Sequence, residues 1–138
     1  MNRADLQHLA ELRLKEARVL LNANCFEGAY YVAGYAIECA IKACFARKTE
    51  QYDFPSMKAV NQIYNHDPTK LISAAGLEED LAKELKSNQT LNANWAVVKE
   101  WSEQQRYVTK ISEGDAKDLL SAIADPVDGV LTWLKKLW

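Results

Sequence analysis

A chain of 138 residues, 49% apolar and 26% charged, is long enough to bury a core unaided and too apolar to be disordered. Its five Gly and three Pro are too few for a turn-rich β sandwich. A formal net charge of -2 excludes overall attraction to nucleic acid, although a local basic face stays open.

The first segment repeats Leu6, Leu9, Ala10, Leu14, Ala17 and Leu21 in a three-four rhythm, which predicts an amphipathic helix from about Arg3 to Asn22. After a break at Asn24-Cys25, a second helix is predicted from about Phe26 to Lys48, the most apolar stretch of the chain. Ala29, Ala33, Ala36, Ala40 and Ala43 put small side chains on one stripe, and Gly34 adjoins it. Such a surface lets a neighbouring helix approach closely. Tyr30, Ile37, Ile41 and Cys44 form a second apolar stripe, so this helix belongs at the centre of a bundle. Glu38 and Lys42 stand in the favourable order for a helical ion pair and by ordinary charge logic face solvent. Cys39 and Cys44 act as small hydrophobes. Three cysteines without a Cys-x-x-Cys pair, two histidines and no signal peptide predict a cytoplasmic protein with no metal site and no cofactor. No run approaches the ~18 apolar residues of a membrane span.

From Thr49 to Asn65 the pattern weakens, with Phe54-Pro55 marking a loop or a helix start. Asp67-Pro68 is a helix start, Asp at the N-cap and Pro at the first helical position. Gly76 closes that short helix in a left-handed conformation. Leu77, Leu81 and Leu85 form the next stripe, with Glu78, Glu79 and Asp80 at its positive end. A polar stretch, Ser87 to Asn94, precedes a helix that carries Trp95, Val98 and Trp101 and runs to about Gln105. Ser112-x-x-Asp115 resembles a capping box. The last pattern, through Ala116, Leu119, Ile123, Val127, Val130 and Leu134, stays in phase across Pro126, as a kinked helix or two nearly collinear ones would. No segment alternates with period two long enough for a strand. The expected fold is all-α, a single domain over residues 1–138, built as an antiparallel bundle of four or five main helices.

Four pieces together resemble the HEPN (higher eukaryotes and prokaryotes nucleotide-binding) domain family. They are the small-residue helix from Glu27 to Ala43, the His66-Asp67-Pro68 helix start, Trp95 and Trp101 followed by Arg106-Tyr107, and the closing apolar helix ending in Trp133-Leu134-Lys135-Lys136. The resemblance implies a helical bundle whose relatives include ribonucleases, non-catalytic nucleotide-binding domains and partners of minimal nucleotidyltransferases. The family's ribonucleases carry an Arg followed after four to six residues by a His: the His moves a proton during attack of the RNA 2′-OH and the Arg holds the phosphate. Here the matching Arg is Arg106, and Tyr107 through Glu113 contain no His. Lys110 lies close behind Arg106, but an ammonium is no base. Arg3 and His8 share the spacing in the wrong helix, where chance explains them.

The expectation is therefore a non-catalytic binding or regulatory module that forms a homodimer and takes a nucleotide, RNA or a protein partner; the resemblance implies a nucleotidyltransferase-type partner or a toxin–antitoxin or defence setting. Binding candidates are Glu38 and Lys42, whose counterparts the resemblance places in the central groove of the bundle, with His66, Arg106 and Tyr107; no residue is assigned a catalytic role. Arg106 also reads as a plain helix-end cation, and His66 as a helix-entry residue. Two other readings stand beside this one: a metal-independent endoribonuclease that uses Arg106, His66 and Glu38 in an altered arrangement, and a purely structural partner. Tyr31 and Tyr35 read as core-edge aromatics, and Trp95 and Trp101 as core anchors. Trp133 and Trp138 read as interface residues.

Overall fold

The computed structural model describes residues 1–52 and 54–138, with the side chains of all of these except residues 50–52. Its helices are α1 (Arg3–Asn22), α2 (Phe26–Tyr52), α3 (Met57–Ile63), α4 (Pro68–Ala74), α5 (Glu78–Ser87), α6 (Gln89–Val98), α7 (Glu113–Ala124) and α8 (Val130–Leu134), with a 3-10 helix at Glu103–Tyr107 between α6 and α7. No strand occurs among the described residues. The fold is the expected all-α one.

α1 begins where a capping box forms: the Asn2 side chain accepts from Asp5 N, and the Asp5 carboxylate accepts from Asn2 N. Two of the orphan donors of the first turn are thereby satisfied. A three-residue connection, with Asn24 at φ 61°, turns the chain so that α2 runs back along α1. α2 is the central element and also touches α4, α7, α8 and the 3-10 helix. Its alanine stripe (Ala29, Ala33, Ala36, Ala40, Ala43) and its Ile37 and Ile41 are fully buried.

The space beside Gly34 is filled by something other than a helix. A Cβ added there would lie 2.0 Å from Trp101 Cε2 and 2.1 Å from Cδ2, so the indole packs flat against bare backbone. Its Nε1 donates to the Tyr30 carbonyl at 3.2 Å.

α4 starts as predicted: the Asp67 carboxylate accepts from Thr69 N and Lys70 N behind Pro68. Gly76 has φ 66° and ends it. The helix that carries Trp95 differs from expectation at both ends. It begins at Gln89, inside the stretch read as a polar connection, because Asn88 caps it by accepting from Leu91 N at 3.0 Å. Leu91, Trp95 and Val98 are its buried stripe. It stops at Val98, and the chain leaves the helix so that Trp101 can reach Gly34. Ser102 then caps the 3-10 helix by accepting from Gln104 N.

The closing apolar pattern forms two helices separated by residues 125–129. The Asp125 carboxylate accepts from Val127 N and Asp128 N, and Asn88 and Asn94 donate to Asp128. Val127, expected in the apolar pattern, is 74% exposed at this turn. Trp133 is a second correction. It is only 7% exposed and belongs to the core, since the short α8 buries nearly every side chain it has. Trp138 is half-buried against the same core. The three cysteines are free, and burial pushes the Cys44 thiol up to about 12.

Candidate functional site

Four α2 residues, Tyr31, Tyr35, Glu38 and Lys42, recur at spacings of four, three and four, so they share one face of that helix. At the centre of this face is Glu38. It is 6% exposed and is the one buried charged residue among the described residues. A carboxylate taken out of water needs partners, and Glu38 has two. Lys42 Nζ donates to its Oε1 at 2.7 Å, and His66 Nδ1 lies 2.8 Å from its Oε2. The charge logic that puts Glu38 in solvent is thus corrected: the ion pair with Lys42 forms, but its acid end is covered.

His66 is delivered by the turn before α4. The Asn65 side-chain oxygen accepts from His66 N and Asp67 N, each at 2.8 Å, which fixes the ring's entry beside α2. The other ring nitrogen, Nε2, lies 3.2 Å from Glu103 Oε2 on the 3-10 helix. A neutral imidazole has one N–H and satisfies one carboxylate; only the protonated ring donates to both.

An aromatic wall closes one side. The Tyr31 and Tyr35 hydroxyls are 3.1 Å apart, so one of the two phenolic protons stays available to a further acceptor. Burial first, and then the hydrogen bond to Tyr31, push the Tyr35 phenol up, which keeps it protonated. The Tyr35 ring stands edge-on to Trp101 and His66, with centroids 5.1 and 6.2 Å away.

Arg106 and Tyr107 follow Glu103 on the 3-10 helix, and both are exposed. The guanidinium sits 4.8 Å from the Tyr107 ring centroid. Its charge is favoured by Tyr107 first, and by Glu103 and Tyr31 behind it. In the same helix the Gln105 Oε1 is buried without a hydrogen-bond partner.

Of the sequence-derived candidates, Glu38, Lys42 and His66 are in direct contact. Arg106 lies within electrostatic reach of the cluster through Glu103 and Tyr31. Tyr107 turns outward and supports Arg106 rather than touching the rest. Glu103 was not singled out from the sequence, where nothing distinguishes it from other exposed acids. Tyr31 and Tyr35 were named only as core-edge aromatics, although their spacing with Glu38 and Lys42 was in plain view.

The cluster offers donors in Arg106, Lys42, His66 and one tyrosine hydroxyl, and acceptors in two carboxylates. Among the described residues no group of three or more His, Cys, Asp or Glu side chains is arranged to hold a metal ion. Nor is any helix among the described residues long and apolar enough to cross a membrane. A groove of about 350 Å³ between α4, α5 and α6, lined by Ile72, Leu81, Leu85 and Trp95, shares no residue with the cluster.

Compared with known proteins, the chain matches one family model, described as HEPN domain, over residues 5–137. No curated protein and no solved structure matches it.

Proposed function

The chain belongs to the HEPN domain family, and we propose that within it the chain is a non-catalytic binding and regulatory module. One observation carries this reading. No histidine follows Arg106 at the ribonuclease spacing; the histidine the cluster does hold, His66, faces carboxylates with both ring nitrogens, at 2.8 and 3.2 Å. A general base must reach the proton it removes, and a ring edge that donates to a carboxylate, or to a phosphate in its place, has no free lone pair with which to do so. What the cluster retains is recognition: a guanidinium held over a tyrosine, a lysine, and a free phenolic proton suit a phosphate-bearing ligand such as a nucleotide or RNA, or an acidic surface of a protein partner. A separately encoded nucleotidyltransferase-type protein is the partner class we propose, in a cytoplasmic toxin–antitoxin or defence setting.

A second reading, a ribonuclease built on Arg106, His66 and Glu38, is favoured by the His66–Glu38 contact, since a carboxylate is what orients a histidine base. Incubating RNA with wild type, Arg106→Ala and His66→Ala separates the two. The expected result is intact RNA with all three proteins, and weaker binding of ligand or partner by Arg106→Ala. Cleavage by wild type that both substitutions abolish would replace the first reading with the second.

We further propose that the module is a homodimer. Phe54, Met57, Tyr64 and Tyr107 are large apolar side chains left exposed, and a two-fold interface is the commonest way to bury such surface. Light scattering over a wide dilution range is expected to give twice the chain mass. A strict monomer at the highest concentration would remove the dimer.

A further inference from the structure

The cluster already holds an anion of its own. Glu103 enters from the 3-10 helix and places Oε2 on His66 Nε2, the ring edge not used by Glu38. Among the described residues His66 is the partner its carboxylate has. The local fold does not depend on that contact. Ser102 caps the 3-10 helix, and Trp101 anchors the segment to α2 through Gly34 and the Tyr30 carbonyl. Arg106, one turn further on, makes no ion pair among the described residues, yet it feels the charge of Glu103. So a half-exposed carboxylate lies among the donors that the proposed site would offer a ligand, and it contributes nothing else the structure requires.

We infer that Glu103 is a built-in competitor, occupying against His66 and beside Arg106 the place of a ligand's phosphate group, which must displace it to bind. This rests on the reading of the cluster as a binding site. A phosphate is the anion fitted to win that exchange. As a monoester it carries more charge than a carboxylate and three terminal oxygens, enough to take two guanidinium N–H groups, the imidazole N–H and the free tyrosine hydroxyl. A carboxylate ligand would only replace Glu103 like for like. The buried Glu38 sets a further threshold, because its charge repels any anion that does not gain several donors at once. Displacement frees Glu103 to turn toward solvent, where it is already partly exposed.

The test measures binding of inorganic phosphate and of a nucleoside monophosphate by calorimetry at low salt. Glu103→Gln keeps the shape and removes the charge; it is expected to bind both probes about threefold to tenfold more tightly than wild type, as loss of one partly exposed like charge allows. The gain should vanish in Glu103→Gln with Arg106→Ala. Glu100→Gln removes the same charge from a position outside the cluster and is expected to leave affinity unchanged. Wild type and Glu103→Gln binding equally would overturn the competitor and leave the binding site standing. An equal gain from Glu100→Gln would overturn it too, by reducing the effect to net charge. Failure of every protein to bind either probe would overturn both the competitor and the site.

Discussion

Gly34→Ala is expected to destabilise the protein by about 3 kcal/mol, although alanine is the better helix former by roughly 1 kcal/mol. The added methyl would meet three atoms of the Trp101 indole at 2.0, 2.1 and 2.3 Å, well inside van der Waals contact. These atoms belong to the body of the ring, not to the free end of a flexible chain. The ring is also fixed by its hydrogen bond to the Tyr30 carbonyl and by the edge of Tyr35. Relief therefore requires the whole indole to retreat, with the connection from Val98 to the 3-10 helix behind it. That movement would carry Glu103 away from His66. A denaturation midpoint in urea gives the energy, and the ring resonances of His66 report the displacement. Trp101→Leu in the same chain should recover part of the loss, because the two sites share one contact and their effects cannot add. An unchanged midpoint for Gly34→Ala would mean that the indole is not seated on Gly34 in solution.

This contact also marks the boundary of what the sequence made legible. The small stripe of α2 said that something approaches closely, and periodicity suggested a helix. That the occupant is a single tryptophan, 67 positions away, has no local signature. Features governed by neighbours in the chain were readable: the α1 boundaries, the Asp67-Pro68 start, the left-handed Gly76 and the Ser112 cap all depend on residues within one turn. Features governed by distant partners were not. Charge alone put Glu38 in solvent, whereas Lys42 and His66 make its burial tolerable. Glu103 acquires its role only because the chain leaves α6 at Val98 and returns over α2. Residues 87–94 look like a polar connection for a related reason. Asn88 and Asn94 serve as a cap and as a tie to Asp128, while Leu91 alone carries the buried stripe through them. Trp133 is the opposite case: its place near the chain's end suggests an interface anchor, although Val130 and Leu134 mark its helix as buried.

Lys42→Met is expected to cost about 2 kcal/mol, far more than the same substitution at Lys117. The two lysines make a controlled pair. Each follows a glutamate by four residues on a helix, and each places Nζ 2.7 Å from the carboxylate. Only the surroundings differ: the Lys42 and Glu38 side chains are 21% and 8% exposed, those of Lys117 and Glu113 59% and 53%. At the exposed pair water replaces whatever the lysine supplied, so Lys117→Met should change stability by less than about half a kcal/mol. Glu38 has no such recourse. Breaking a fully buried pair costs roughly 3–5 kcal/mol, and the partial exposure of Lys42 together with the remaining contact to His66 brings the figure down to about 2. Adding Glu38→Gln to Lys42→Met should restore much of the loss, since a neutral amide no longer demands a cation. The three variants, compared with wild type by urea denaturation, decide the matter. Equal costs at Lys42 and Lys117 would mean that Glu38 is solvated after all. A large cost at Lys42 alone, with rescue by Glu38→Gln, would mean that the protein bears the burden of a buried carboxylate on the face where its donors converge. A carboxylate there holds His66 in one orientation, the service a recognition site needs from it.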